Sequence, residues 1–215
     1  MKNFDLIKSP ILPTQLDPLL LESTSTFELT QGIVSDVILQ QLEARSFELD
    51  QVTFERVELS SARIKNTYLS NVILEDCLFF GSHLNHARLV RTRINRGIYS
   101  GVVLSGATIE DVVFSECKLN MLNFRTSTFK RVAFIDCDLS ETDFGGARFD
   151  QVTFRGCKLN GAEFSGCQIV RADFRSSDIS AIKGIAGLSK GIINSSQLID
   201  LSQIMAHEFG IMIED

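Results

Sequence analysis

Tryptophan is absent, and proline occurs only at Pro10, Pro13 and Pro18. Those prolines break any regular element near the start, and none constrains the chain afterwards. Histidine is scarce, with only His83, His86 and His207. Two of the three share one short segment, so no Ser/His/Asp or Cys/His set can be assembled from them. Cys77, Cys117, Cys137, Cys157 and Cys167 show no CxxC spacing and no histidine partner, which argues against a disulfide scaffold or a zinc site. Apolar runs are only a few residues long, too short to span a membrane. A strong charge of one sign is missing too. The formal balance is −6, mildly acidic, and gives no general attraction to nucleic acid or anionic lipid. The opening MKNFDLIKSPILP has no apolar core followed by a small-residue cleavage site, so no signal peptide is expected and a reducing cytoplasm is the expected compartment.

What the chain has in abundance is a period of five. From Phe114 every fifth residue is large and apolar: Leu119, Phe124, Phe129, Phe134, Leu139, Phe144, Phe149, Phe154, Leu159, Phe164, Ile169, Phe174. Two residues ahead of each runs a second series of mostly small residues, from Val112, Cys117 and Leu122 to Ala172. Polar and charged residues fill the gaps. Neither a helix, at 3.6, nor a strand, at 2.0, has this period, so the pattern requires a repeat architecture. The frame runs without insertion from about Phe27 to Ala181, and only Ala44 and Tyr99 depart from large aliphatic or Phe at the central position. The small position is irregular early, with Phe27, Leu42 and Phe47, so the first coils are expected to be distorted. All five cysteines fall on the small position, where they read as buried small hydrophobes.

The units ADFRS at 172–176, AEFSG at 162–166, TDFGG at 142–146 and ARFDQ at 147–151 resemble the repeat of the pentapeptide-repeat proteins. The resemblance implies an all-β solenoid: a right-handed quadrilateral β-helix of about eight coils, with four pentads per coil. Central and small residues would point inward and the other three positions outward. Turns would stack at a spacing of about 4.8 Å. The expected organisation is one domain over 1–215, with an N-terminal cap at 1–26, the β-helix at 27–181 and a C-terminal cap at 182–215.

Both ends need covering in a solenoid. Ile7, Ile11, Leu12, Leu16 and Leu19–Leu21 make the N-terminal arm too apolar for a free tail, so it is expected to pack on the first coil. After Ile179 the frame slips, and Lys183–Gly191 reads as a turn region. Ser195 or Ser196 is placed to cap a helix to about His207, with Gly210 as the stop. This cap is also the expected homodimer interface, through Leu198, Leu201, Ile204, Met205, Phe209, Ile211 and Ile213. The resemblance supports this, because loop-free relatives dimerise through their C-terminal ends.

With twenty residues per coil, residues twenty apart stack in columns. Cys77, Gly97, Cys117, Cys137 and Cys157 share one inward column. Arg91, Asp111, Arg131, Gln151 and Arg171 share an outward one, read as a charge ladder rather than a phosphate grip. Arg88, Arg91, Arg93 and Arg96 form a basic corner over two adjacent faces. His83 and His86 point outward with no third ligand, so no metal and no cofactor is expected. Leu78, Phe80 and Ile98, with Met121 one coil on, make an outward apolar patch, the candidate protein-partner site unless the N-terminal arm covers it.

A gapless repeat supplies no long loop for catalytic groups, so the expected function is a non-catalytic protein-interaction scaffold with an unknown protein partner. The resemblance adds an alternative, a DNA mimic that binds DNA gyrase, a type II topoisomerase, and protects it from quinolones. Mimicry demands a strongly negative rod. Residues 27–181 carry 20 acidic and 17 basic side chains, a balance of −3, and the frame lacks the inserted loops of gyrase-binding relatives. Gyrase binding is therefore disfavoured. No direct nucleic acid binding and no membrane association are expected.

Overall fold

The computed structural model describes residues 6–19 and 26–212. The chain winds as a right-handed four-sided β-helix of about eight coils, with one C-terminal helix. All strand pairs inside the repeat are parallel, and nearly all join residues twenty apart, as in Ile109 with Phe129 and Phe114 with Phe134; near the C-terminal end Asp150 with Arg171 and Arg155 with Ser176 slip by one. In chain order, the first face carries Leu29 to Ile169 at its centre and the second Val34 to Phe174. The third carries Leu39 to Ile179 and the fourth Ala44 to Phe164. The first two faces share one long sheet, with strands such as Thr128–Ile135 turning the corner between them. The third face has a three-stranded sheet, Ile38–Gln40, Glu58–Ser60 and Leu78–Phe80. Single bridges continue it downward.

The period of five follows from how each corner is turned. The residue two past the central one adopts a left-handed conformation in most pentads, as at Asp36, Arg56, Asp76, Arg96, Glu116 and Asp136. Such a conformation is costly for an L-residue. It is offset because it aims the corner N–H at the next coil: Arg56 donates to the Glu75 carbonyl at 2.9 Å and Asp136 to that of Arg155 at 2.7 Å. The small position has its own logic. A hydroxyl or thiol there donates to the carbonyl 23 residues earlier: Ser82 to Leu59, Ser127 to Leu104, Thr142 to Leu119 and Cys117 to Ile94. Cysteine fits because it is small, apolar and still a weak donor. Burial pushes the Cys77 thiol up to about 11, away from thiolate reactivity.

The core is a set of stacked rings. Phe114, Phe134, Phe154 and Phe174 lie face to face at 4.8, 5.0 and 4.8 Å between centroids. Rings from the opposite, fourth face meet them edge-on across the core, as Phe144 does Phe134 at 6.4 Å. Both geometries are favourable for aromatic pairs. Tyr99 takes a position held elsewhere on its face by Leu, Ile or Phe. Gly97 makes room for it, since a Cβ there would come within 2.3 Å of the ring.

The first coils are distorted, and for a specific reason. Ala44 is small where the repeat is large, and Phe47 is large where the repeat is small. Phe47 fills the space Ala44 leaves, packing edge-on against Phe54 at 6.0 Å. The corner between them does not turn through a left-handed residue at Ser46 or at Asn66, and the strand Glu43–Glu55 runs straight through it. One consequence is an orphan. The Thr67 hydroxyl would reach back 23 residues to the Ala44 carbonyl, but it is buried without a partner.

Two expectations about the ends need correction. The N-terminal arm caps the first coil only through its last described residues. Asp17 and Pro18 pair with Gly32 and Ile33, and Leu19 packs on the core over Gly32. Its earlier part runs as a strap along the corner between the first and second faces. Lys8 N–H donates to Asp111, Ile11 N–H to Asn71, and Arg93 to the Ser9 hydroxyl. Ile11 stays exposed, and Leu20 and Leu21 lie outside the described residues. At the other end the winding continues past Ala181. Lys183 bridges Glu163, and Gly191 and Ile192 pair with Ala172 and Asp173, closing a last turn one residue short of twenty.

The helix Ser195–Glu208 is capped by Asn194, not by Ser195 or Ser196. The Asn194 side chain accepts from Gln197 N–H, and the Gln197 side chain accepts from Asn194 N–H. The Ser196 hydroxyl donates to the same Asn194 oxygen.

Candidate interaction surfaces

Along two corner columns, opposite charges in adjacent coils pair with one another. Arg131 grips Asp111 with two hydrogen bonds, at 2.7 and 2.8 Å, and also reaches Glu110. Burial opposes ionisation of Asp111, but the guanidinium beside it prevails and holds its carboxyl low. In the same column Arg91 donates to Asn71, and Gln31 pairs with Gln51. This is the charge ladder expected from the sequence. A second ladder, not seen in the sequence, follows the corner between the second and third faces. There Arg56 holds Asp36 bidentately, and Arg96 holds Asp76 and reaches Glu75. The signal was legible in the alternation Asp36, Arg56, Asp76, Arg96.

The expected basic corner is thereby dispersed. Arg96 is paired with carboxylates, and Arg93 is partly buried beneath the arm, which lowers its pKa by desolvation. Arg91 is turned onto Asn71, and Arg88 lies over the Tyr68 ring at 6.0 Å. The four do not form one open positive surface.

The apolar patch stands on the third face. Leu78 and Ile98 are half-buried neighbours in adjacent coils, joined by a bridge. Phe80 stands beside Leu78, 38% exposed. Met121 lies at the far corner one coil beyond Ile98, 58% exposed, and so at the margin of the patch rather than in it. The arm's bonds are all to the first and second faces, so its described part leaves the patch uncovered.

The C-terminal helix divides the residues expected at a dimer interface. Leu201 is buried in the core, and Ile204 and Met205 pack against it. These three are used in capping and are not available to a second copy as an open surface. Leu198, Phe209 and Ile211 are exposed, as is Ile199, which the expected set omitted. By helical spacing Leu198 and Phe209 flank the edge of the buried stripe, and Ile199 points away from the rod. Ile213 lies outside the described residues.

The residue that closes the rod is polar. Gln197 is 6% exposed, and its amide donates to the carbonyls of Phe174 at 2.7 Å and Ser177 at 2.8 Å. Phe174 is 23 residues back, so Gln197 does for the last coil what the small residue of a following coil would have done. Asn194 likewise donates to the Arg175 carbonyl. Sequence reasoning missed Gln197 because it attended to the helix's apolar stripe.

Among the described residues no group of three or more His, Cys, Asp and Glu side chains is placed to hold a metal ion. No helix among them is long and apolar enough to cross a membrane.

Comparison with known proteins bears on the repeat. The family of pentapeptide repeats (8 copies) matches residues 58–96, and the pentapeptide repeat region family matches residues 107–183. No curated protein matches the chain. Among solved structures, the chain is similar to a trypsin-treated form of QnrB1, a plasmid-mediated fluoroquinolone resistance protein. Identity is 18%, over 86% of this chain and 100% of that one, with a TM-score of 0.49. It is similar to a pentapeptide repeat protein from the Arabidopsis thaliana thylakoid lumen, at 21% identity over 40% of this chain and 59% of that one, TM-score 0.38. It is also similar to HetL from the cyanobacterium Nostoc sp., involved in heterocyst differentiation regulation, at 14% identity over 76% and 87%, TM-score 0.27. The two family regions cover more than half of the residues, and within them the central side chains are buried, so the chain belongs to the pentapeptide-repeat family.

Proposed function

We propose that this protein is a rigid, non-catalytic scaffold that binds a protein partner through its third face. The observation that carries this reading is the uncovered patch of Leu78, Phe80 and Ile98, beside corner columns whose charges pair with one another. An exposed phenylalanine beside a half-buried Leu78–Ile98 pair suits a partner with an apolar knob. A stacked rod presents such a patch in fixed geometry and spends little ordering entropy on binding. The test is a pull-down from the native host with the intact chain and with Phe80→Asp. The wild type should retain at least one protein that the variant releases. Identical captured sets would remove the patch as the contact site.

Gyrase is the weaker reading. The ladders alternate sign along the rod, which does not copy a phosphate backbone. The same pull-down is expected to leave gyrase uncaptured, and supercoiling should be inhibited weakly at most. Potent inhibition at sub-micromolar concentration would reverse the ranking.

A second feature supports a homodimer through the C-terminal cap. Leu198, Ile199 and Phe209 remain open after capping has used Leu201, Ile204 and Met205. Two such surfaces meeting about a two-fold axis would cover them. Sedimentation at micromolar concentration should show a dimer that Phe209→Asp converts to monomer. A wild-type monomer would leave the helix as a cap alone.

A further inference from the structure

On the fourth face two cations stack without a carboxylate partner among the described residues. Arg45 and Lys65 occupy the same column in adjacent coils, because Ala44 pairs with Ile64 and Ser46 with Asn66. Like charges stacked one β spacing apart, about 4.8 Å, repel and destabilise the pairing. Neither side chain has a carboxylate partner among the described residues, whereas Arg56, Arg96 and Arg131 each hold one. Two positions away on the same strands lies the column Glu43, Arg63, His83, and Arg63 touches Glu43 only at 3.8 Å, with both side chains largely exposed.

These groups line one concave feature. A cleft of about 600 Å³ is bounded by Glu43, Arg45, Arg63, Lys65, His83 and His86, with Ala44 and Ile64 also in its lining. It sits where the corner changes path: extended at Ser46 and Asn66, left-handed again at His86. The His86 ring is folded down against the next coil, over Gly106, where a Cβ would come within 2.5 Å of Nδ1. It is an open surface groove, with the Arg63 and Glu43 side chains largely exposed along its wall.

We propose that this cleft binds a phosphomonoester. Arg45, Lys65 and Arg63 converge from two columns about 5 Å by 7 Å apart, set by the coil spacing and the strand repeat. Against them stands the single carboxylate Glu43, which leaves an excess of two positive charges. A phosphoryl group carries about −1.5 to −2 at neutral pH and offers three acceptor oxygens, matching both the charge and the donors. A lone carboxylate would neutralise half of that excess and offers two acceptor oxygens where a phosphoryl group offers three. Guanidinium groups supply planar paired donors, and Lys65 supplies a mobile point charge. Relief of the Arg45–Lys65 repulsion on binding adds to the affinity.

Calorimetric titration of the intact chain tests this with two sources of the group: glucose 6-phosphate, and a phosphoserine peptide beside its unphosphorylated form. Binding of both phosphorylated probes assigns the site to the phosphoryl group itself. Binding of only one supports the site and names its source. The paired substitution R45Q with K65Q should weaken binding at least tenfold, while E43Q, which removes the opposing charge, should strengthen it. The R45Q/K65Q variant should melt cooperatively at or above the wild-type temperature, which separates lost binding from lost folding. R88Q, on the first face, should bind as wild type. The proposal is overturned if neither probe binds at millimolar concentration in low salt. It is overturned equally if the unphosphorylated peptide binds as well, or if R45Q/K65Q and R88Q change affinity alike.

Discussion

Replacing Phe134 by alanine is expected to cost about 3–5 kcal/mol, the usual loss for a buried Phe→Ala change. Phe134 is fully buried and stacked between Phe114 and Phe154 at 4.8 and 5.0 Å. It also meets Phe129 from the neighbouring first face and Phe144 from the opposite fourth face. The backbone on either side is fixed by ladder bonds to the coils above and below, so the walls cannot collapse into the void. Coils in a solenoid depend on their neighbours, so the loss should weaken the coils around Phe134 more than those near Phe54. Thermal melting beside the outward control Lys130→Ala measures it. A shift no larger than the control's would contradict the stacked core.

Replacing Gln197 by alanine should be the most damaging polar change. It removes both hydrogen bonds to the Phe174 and Ser177 carbonyls and the side-chain half of the capping box. A buried group left unpaired costs about 1–3 kcal/mol, so about 2–3 kcal/mol is expected in total. The loss should fall on the C-terminal coil and the helix, and Asn160→Ala, on an outward position, should barely register. Unchanged protection from proteolysis beyond residue 170 in the variant would mean that apolar contacts through Leu201 alone hold the cap.

The contrast between Phe134 and Gln197 shows which parts of the molecule were legible in the sequence. Phe134 repeats every five residues, and a period fixes both fold and burial at once. The rule survives locally even where residues depart from it: Ala44 and Phe47 exchange roles across a corner, and Gly97 gives way to Tyr99. Gln197 sits outside the period. Its role depends on which carbonyls the last coil leaves open, and that is a property of the folded end. The path of the N-terminal strap was hidden for a similar reason. It is held by single bonds such as Lys8 to Asp111 and Ile11 to Asn71, across 103 and 60 residues, with no pattern to announce them. The patch at Leu78, Phe80 and Ile98 was legible because an apolar residue on an outward position violates the repeat. The cationic cleft was not, because its charges obey the outward pattern and only the folded coils bring Arg45, Arg63 and Lys65 to one groove.

Rigidity is the central claim, since a scaffold presents its patch only if its coils do not open. Native-state hydrogen exchange of the wild-type chain tests it most directly. The ladder amides of the coils from Val112 to Phe174 should exchange slowest and as one block, through a shared opening, with faster exchange in the distorted coils around Ala44 and Thr67. Rapid, independent exchange at Phe134 and Phe154, on the timescale of exposed amides, would contradict the account.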